Sequence, residues 1–270
     1  MKPLVSVVIP TFNRVELLNE AIESVLAQSY RPLELVIVDD GSTDSTQGML
    51  EELRPMLIER GIELAAIRNQ TNEGCGASLD TGFRAAKGEF ISYLGSDDLY
   101  TDPDKTSKQV QDMTDRKSDW SYFRDLSVGT KPSDAHVFKP SFVPRMGCLN
   151  PVIESRPRLR LLFLLWRNPI NSSSLMVRRD IYKAFGGWEA WTRNADCDGL
   201  LLMKYSHLSL KCSVLDGAPL FYRIHEGQVS NLKSMQKGTA ATRDHILSML
   251  KTENAPIVYR AFARLFRWLW

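Results

Sequence analysis

The chain has 270 residues, of which 43% are hydrophobic and 24% are charged, and this balance excludes a disordered, collagen-like or disulfide-scaffold protein. Its 34 Lys and Arg residues against 32 Asp and Glu residues give a net charge of +2, which argues against a dedicated nucleic-acid binder. The charge is uneven, because residues 139–183 hold nine basic and two acidic residues. Length and composition therefore predict one large α/β domain with an acidic body, a basic middle segment and a C-terminal appendage.

The cysteines and the hydropathy pattern bear on the cellular compartment. Four cysteines without a Cys-x-x-Cys spacing indicate neither a disulfide framework nor a zinc site. The apolar N-terminal run is interrupted by Ser6 and ended by Pro10, which is too short for the core of a signal peptide. No window approaches the roughly 18 consecutive apolar residues of a spanning helix. The cysteine pattern leads us to expect reduced thiols and a cytoplasmic protein, with a peripheral position on the inner face of the membrane as the alternative.

The first 120 residues alternate short apolar runs with helical patterns, which is typical of a parallel sheet with crossover helices. Strands are predicted at residues 4–9, 33–38, 62–67 and 89–94. The first helix is predicted to begin at a capping box formed by Asn13 and Glu16. Further helices are predicted to begin near Asp44, after Gly74 and at Asp102-Pro103.

Periodicity weakens after about residue 120. Five prolines punctuate residues 132–157, and the sequence there predicts a long irregular basic region of loops around a site. Two more helices are predicted at residues 180–185 and 197–205.

Acidic residues follow two of the predicted strands. Asp39 and Asp40 end the second strand, and Asp97 and Asp98 end the fourth. Ligands of open α/β sheets bind at the carboxyl ends of the strands, so these carboxylates converge on one edge. Such a cluster fits Mg²⁺ or Mn²⁺ together with a nucleotide diphosphate. The alternative for Asp40 and Asp44 is that they cap turns and helices.

Other nucleotide and hydrolase motifs are absent from the sequence. No Gly-x-Gly-x-x-Gly follows the first strand, where the chain has Pro-Thr-Phe-Asn. There is no Gly-x-x-x-x-Gly-Lys-Ser/Thr loop and no Gly-x-Ser-x-Gly elbow. A dinucleotide-binding fold, a P-loop nucleotidase and an α/β-hydrolase are therefore not indicated.

Three motifs in order resemble family 2 glycosyltransferases of the GT-A fold: VSVVIPTFNR at 5–14, LELVIVDDGSTD at 33–44 and FISYLGSDD at 90–98. The resemblance covers residues 4–115 and continues more faintly to 231. It implies an α/β fold with a mostly parallel central sheet flanked by helices. Residues 1–231 would form the catalytic domain, with 1–120 as the nucleotide-binding half and 121–231 as the acceptor half. Residues 232–270 would be a C-terminal helical extension.

The resemblance also implies roles for individual residues. It places the nucleotide against Pro10, Thr11, Phe12, Asn13, Asp39, Asp40, Asn72, Gly74, Ser96 and Asp97. Asp39 would accept the N3 proton of uracil, and Asp98 would be the metal ligand. In the motif YRIH at 222–225, His225 would reach the metal and Arg223 the diphosphate. Leu79 and Asp80 depart from the arginine and asparagine of the family, so no contact is carried over to them.

The segments SSSLMVRR at 172–179 and FGGWE at 185–189 resemble the approach to the family's catalytic acid. The family then shows Glu-Asp-x-Asp where this chain has ADCD at 195–198, so Asp196 would be the general base. An inverting transfer needs one carboxylate to take the proton of the acceptor hydroxyl. The alternative is that Asp196 and Asp198 are only acids at a helix N-terminus, favoured by the helix dipole.

The resemblance therefore predicts an inverting, metal-dependent glycosyltransferase that uses a nucleotide-diphosphate sugar, with UDP favoured, and a saccharide or lipid-linked saccharide acceptor. The departures at Gly95, Leu79 and Ala195 keep open an inactive nucleotide-binding scaffold. At residues 257–270, Arg260, Arg264 and Arg267 recur at helical spacing among aromatic residues. This pattern fits an anionic membrane surface, to which the arginines of 156–167 would add, or a helix packed on protein.

Overall fold

The computed structural model describes residues 1–142, 146–166, 168–194 and 197–228, and further residues at 242, 244–246 and 248. Its strands are β1 (Val5–Thr11), β2 (Leu33–Asp39), β3 (Glu63–Arg68), β4 (Phe90–Tyr93), β5 (Leu99–Tyr100), β6 (Trp120–Phe123), β7 (Leu126–Gly129), β8 (His136–Phe138), β9 (Met176–Arg178), β10 (Cys212–Leu215) and β11 (Leu220–Arg223). Its helices are α1 (Val15–Leu26), α2 (Thr46–Glu59), α3 (Cys75–Ala85), α4 (Lys105–Arg116), α5 (Asn150–Glu154), α6 (Pro157–Trp166), α7 (Arg179–Phe185) and α8 (Cys197–His207).

Seven strands form a central sheet in the order β10-β6-β9-β4-β1-β2-β3. The neighbouring strands are parallel except at β9, which runs antiparallel to both β6 and β4. The predicted mostly parallel sheet is therefore confirmed. Because β1, β2 and β4 run in the same direction, the residues that follow them meet at one edge of the sheet.

The core lies on both faces of this sheet. Every residue of β1 and β2 is buried, as expected for parallel strands covered by helices on each side. Side chains alternate along a strand, so Val7 and Ile9 join the cluster that packs on α1, whereas Val8 and Val36 join the cluster that packs on α3 and α8. This two-sided burial fixes the ends of β1 and β2 in place.

A second, smaller sheet has the order β5-β11-β7-β8. Strand β5 follows directly after Asp98, so this sheet is connected to the acidic edge of the central sheet. Strands β6, β9 and β10 come from the later part of the chain and complete the central sheet. The two predicted halves of the catalytic domain thus contribute strands to one sheet.

Two predicted helix starts are wrong. Helix α1 begins at Val15 without a side-chain cap, because Asn13 takes a left-handed backbone (φ 51°) and its Oδ1 accepts a hydrogen bond from Thr43 N at 2.7 Å. Helix α4 begins at Lys105 rather than at Pro103, and Asp102 instead accepts from Asp104 N. In both places the polar side chain stabilises the preceding loop.

The region after residue 120 is more regular than predicted. It contains β6, β7, β8, α5 and α6. In α6, Leu161, Leu164 and Leu165 are buried at helical spacing, but the arginines between the apolar residues obscure this pattern in the sequence. Arg160 is itself buried, donating to Glu154 O and Ser206 Oγ with its guanidinium 4.8 Å from the Trp120 ring. Arg160 therefore cannot contribute to a membrane-facing surface.

The predicted amphipathic helix at 257–270 lies outside the described residues. Part of the preceding segment packs on the domain, because Ile246 belongs to the large core cluster and the His245 ring is 5.3 Å from the Trp191 ring. Within the part of the chain that the structure describes, no helix has the length and apolar character needed to cross a membrane.

Candidate active site

A cavity of about 590 Å³ opens at the carboxyl edge of the central sheet. Eight of the residues assigned to the nucleotide or the metal line it: Pro10, Thr11, Phe12, Asp40, Asn72, Ser96, Asp97 and Asp98. The cavity extends from there to the second sheet and to residues 168–173. Asn13, Asp39, Gly74, Arg223 and His225 do not line it.

Asp40 organises the loop at the end of the cavity nearest β2. Its carboxylate accepts hydrogen bonds from Glu73 N at 2.9 Å, from Gly74 N at 2.8 Å and from Asn69 Nδ2 at 2.8 Å. The loop that carries Asn72 is therefore held by the end of β2. Asp40 combines the turn-capping role that the sequence left open with a place in the cavity wall.

Asp39 lies behind the cavity wall. It is 0% exposed, and its two oxygens accept from Ser42 N at 2.8 Å and from Gln47 Nε2 at 2.6 Å. Strand alternation explains the difference from Asp40, because Asp39 shares the face of Leu35 and Ile37. A contact between Asp39 and a base remains a prediction, and it requires this buried carboxylate to become accessible.

Asp97 and Asp98 form the acidic wall of the cavity. Asp97 Oδ2 accepts from Arg14 Nη1 at 2.6 Å and lies 3.1 Å from His225 Nε2. Asp98 accepts from Ser173 Oγ at 2.5 Å and from Arg223 N at 3.2 Å. The two carboxylates thus join the ends of β1, β4 and β11 and the 172–174 turn.

The position of Asp98 is electrostatically strained. Burial, with the neighbouring Asp97 charge, raises the pKa of Asp98 to about 8. The ionised form of this carboxylate is therefore disfavoured despite the nearby Arg223, and a hard divalent cation would stabilise it as an oxygen ligand. The donor chemistry of this wall fits Mg²⁺ or Mn²⁺. Within the described residues, no three His, Cys, Asp or Glu side chains cluster as a metal site made by protein alone.

Arg223 braces the acidic wall from outside the cavity. Its Nε donates to Asp97 O at 3.1 Å, and its Nη2 pairs with Glu20. Among the described residues, the guanidinium that lines the cavity belongs instead to Arg14, which ends the first quoted motif but had no predicted role. Arg14 also donates to Gly227 O at 2.7 Å and so ties the segment after β11 to the acidic wall.

Gly95 allows the acidic turn to close tightly. A Cβ atom at this position would lie 2.9 Å from Asp97 Oδ1 and 3.2 Å from Asp98 Oδ2. The departure at Leu79 also has a structural basis, since this side chain is completely buried in the core cluster beneath the cavity. Neither departure removes a cavity-lining carboxylate.

The predicted general base, Asp196, lies outside the described residues, as does Ala195. The residues that flank them, Asn194 and Cys197, both line the cavity. Asp198 lines it too, in the first turn of α8, where Asn168 Nδ2 donates to its Oδ2 at 3.3 Å. Burial raises the pKa of Asp198. The sequence indicated only that Asp198 is an acid near a helix N-terminus, so its place in the cavity wall was not predicted.

Comparison with known proteins identifies the family to which the chain belongs. The model of the family described as "Glycosyl transferase family 2" matches residues 6–184, so the chain belongs to this family. Solved structures share its fold. The S. aureus TarS 1-349 structure in complex with UDP-GlcNAc has a TM-score of 0.66 and 22% identity, over 91% of this chain and 70% of that chain. The GT-A fold predicted from the motifs is confirmed.

Other relatives extend the comparison. An uncharacterized glycosyltransferase of Rickettsia typhi is 28% identical over 85% of this chain and 66% of its own length. The putative teichuronic acid biosynthesis glycosyltransferase TuaG of Bacillus subtilis is 29% identical over 57% of this chain and 63% of its own. The mannosyltransferase PcManGT of Pyrobaculum calidifontis, in complex with GDP-Man and Mn²⁺, has a TM-score of 0.62 and 16% identity over 100% of this chain and 85% of that chain. The chain spans only 28% of the length of a Rickettsia felis relative that is 33% identical over 68% of this chain.

Proposed function

We propose that this chain is an inverting, metal-dependent glycosyltransferase that transfers a sugar from a UDP-sugar to a hydroxyl of a saccharide or lipid-linked saccharide. We place this reaction in the synthesis of a cell-surface polysaccharide. The observation that carries the proposal is the pair of carboxylates, Asp97 and Asp98, in the wall of a cavity at the carboxyl edge of the sheet. TuaG, named for teichuronic acid biosynthesis, supports the type of product.

The nucleotide would lie at the end of the cavity nearest β1 and β2. There Pro10, Thr11 and Phe12 provide an apolar and aromatic surface, and the loop held by Asp40 provides Asn72. The diphosphate would then lie against the acidic wall, where Arg14 supplies a positive charge. The TarS structures with UDP-GlcNAc and with UDP support a uridine nucleotide.

Asp98 would hold Mg²⁺ or Mn²⁺, with His225 as a second donor. When bound, the cation offsets the negative charge on the diphosphate leaving group. Its remaining ligands would come from the diphosphate and water, since the described side chains provide no three-residue cluster. Ser173 orients the Asp98 carboxylate through its 2.5 Å hydrogen bond, and Arg223 N holds the second oxygen.

Asp196 would act as the general base. It would take the proton of the acceptor hydroxyl while that oxygen bonds to the anomeric carbon from the face opposite the diphosphate. The bond from the anomeric carbon to the diphosphate oxygen breaks, and UDP leaves with its electron pair. Asn194 and Cys197, the described neighbours of residues 195–196 in sequence, line the same cavity as the acidic wall, and this supports the assignment.

The test is release of UDP from a panel of UDP-sugars, with Mn²⁺ and a pool of cell-surface saccharides as acceptors. We expect turnover by the wild-type protein and losses of at least about a hundredfold in both Asp98→Ala and Asp196→Ala. A protein that binds UDP but turns over no donor would contradict the proposed enzymatic activity. That outcome would favour the alternative, an inactive nucleotide-binding scaffold in a polysaccharide assembly complex.

A further inference from the structure

The cavity has a second wall that the donor site does not use. Its residues lie on one face of the second sheet, where Phe138 of β8 is directly opposite Leu126 of β7, and Tyr222 of β11 is directly opposite Val128 of β7. All four side chains line the cavity. We call these four residues the apolar face.

The apolar face starts beside the acidic wall. Tyr222 precedes Arg223, whose backbone N–H donates to Asp98 at 3.2 Å. The face then runs outward across β7 to β8, which is two strand spacings or about 10 Å. It ends at Phe138, which is 45% exposed although it lines the cavity. A ligand on this face would therefore begin at the reaction centre and extend away from the donor.

Polar groups line the cavity around residues 168–173 and at the start of α8. They include the side chains of Asn168, Asn171, Ser172 and Asp198. A pocket with aromatic surface and a few amide, hydroxyl and carboxylate groups suits a ligand that has both C–H faces and hydroxyl edges. Pyranose rings have this character, whereas an acyl or prenyl chain has no hydroxyl edge to match these polar groups.

We propose that the apolar face is the binding subsite for a saccharide acceptor, with Phe138 as the stacking residue for the sugar unit next to the one that reacts. This inference rests on the proposed function and specifies where its acceptor binds. Phe138 contacts the acceptor away from the reacting atoms, so it sets acceptor affinity and preferred length.

The neighbouring residue provides a matched control. Val137 is 58% exposed and lies on the opposite face of β8, because side chains alternate along the strand, and it does not line the cavity. Truncation of Val137 removes an exposed apolar side chain from the same strand without changing the cavity. Phe138→Tyr keeps the ring and should keep the subsite.

The experiment compares wild type, Phe138→Ala, Phe138→Tyr and Val137→Ala. Each protein, with UDP and Mn²⁺ present, is applied to an array of immobilised mono- and disaccharides on one hydrophilic linker, with the bare linker as blank. UDP affinity is measured by calorimetry in the same preparations and reports on the donor half separately. We expect wild type to retain at least one disaccharide, and Phe138→Ala to weaken that binding by at least about tenfold. Phe138→Tyr and Val137→Ala should bind as wild type does, and UDP affinity should be the same in all four.

Each contrary outcome has a distinct meaning. Equal saccharide binding by Phe138→Ala and wild type overturns the subsite, as does an equal loss in Val137→Ala. Wild type that binds UDP but retains no saccharide on the array, or only the bare linker, overturns the subsite and leaves the proposed donor site standing. Failure of wild type to bind UDP contradicts the proposed function itself.

Discussion

Asp39 and Asp40 have different roles despite being adjacent in sequence. The strand period of two places Asp39 among the side chains that pack towards α1 and α2, and Asp40 towards α3 and the cavity. The acidic cluster at this edge was predictable from the strand ends. Which of the two adjacent acids lines the cavity was not, because both faces of β2 are apolar and buried, and the sequence does not show which face leads to the cavity.

Lys105 is a second residue in an unusual environment. It is completely buried, its Nζ donates to Ser92 Oγ at 2.9 Å, and it lies 4.2 Å from the centre of the Tyr100 ring. Burial lowers the pKa of Lys105 from its usual 10.5 to about 7, since neither neighbour carries a negative charge near neutral pH. This lysine holds its proton less readily in the folded protein than in the unfolded chain.

A dependence of stability on pH follows. Between about pH 7 and pH 10.5 the unfolded chain binds a proton at this lysine that the folded protein does not. The free energy of unfolding should therefore rise with pH in this window, by at most about 1.4 kcal/mol per pH unit from this residue. Urea unfolding at several pH values between 6.5 and 9.5 measures the slope of the free energy of unfolding against pH. Lys105→Met should reduce this slope.

Lys108 provides the control for this measurement. It lies one turn along the same helix, half exposed, with Nζ 2.6 Å from Asp102. Lys108→Met should keep the wild-type slope. An identical slope in Lys105→Met and wild type would show that Lys105 titrates in the folded protein as it does in the unfolded chain.

At the scale of elements, the contact between α3 and the 189–194 segment joins the end of the cavity nearest β2 to the residues that precede position 195 in the sequence. Gly76 N donates to Arg193 O at 2.7 Å, and Cys75 N donates to Asn194 Oδ1 at 2.8 Å. A Cβ atom at Gly76 would lie 2.8 Å from Glu189 O and closer still to Thr192 Oγ1. Helix α3 can approach this segment only because position 76 has no side chain.

We predict that Gly76→Ala lowers the free energy of unfolding by about 1–3 kcal/mol, because the added methyl group must push α3 and the 189–194 segment apart. Gly48→Ala is the matched control in α2, where a Cβ atom would meet nothing within 4 Å. That change should raise the free energy of unfolding by about 0.5–1 kcal/mol through helix propensity. Denaturant unfolding of both variants measures the difference, and equal effects would contradict the close contact.

The elements themselves were predictable in the first half of the chain and much less so in the second. Strands β1 and β2 are short continuous apolar runs and helix α1 has clear helical periodicity, and their buried residues are the ones that these patterns indicate. Helix α6 has no clear helical periodicity, because Arg160 occupies a core position where it stacks on Trp120. Tertiary contacts of this kind decide burial, and a local pattern does not contain them.

The candidate site also has a part that could be predicted from the sequence and a part that could not. Its carboxylates lie at strand ends and could be predicted from parallel topology. Ser173 and the backbone of Arg223 hold Asp98 from positions 75 and 125 residues away in sequence. Phe138 joins the cavity through the register of a short edge strand. No spacing in the sequence indicates such long-range partners.

At the scale of the whole molecule, the structure shows that part of the basic charge in the middle segment stabilises the fold. Of the nine basic residues in 139–183, Arg160 is buried in the core, and Arg178 donates to Ser118 O and pairs with Glu89. These two charges stabilise the fold rather than forming a surface for a partner. The acidic wall, by contrast, lines the cavity at the predicted edge of the sheet, where Arg14 pairs with Asp97 and the buried Asp98 has a raised pKa.

Calorimetric titration of UDP in the presence and absence of Mn²⁺ tests whether the acidic wall binds a metal ion together with the nucleotide. The proteins compared are wild type, Asp98→Asn and Asp216→Asn. Asp216 is an exposed partner of Arg124 outside the cavity, so its variant controls for loss of one acidic charge. We expect Mn²⁺-dependent UDP binding by wild type and Asp216→Asn, and binding weakened at least about tenfold in Asp98→Asn. UDP binding that is indifferent to Mn²⁺ and to Asp98, or no UDP binding at all, would contradict this expectation.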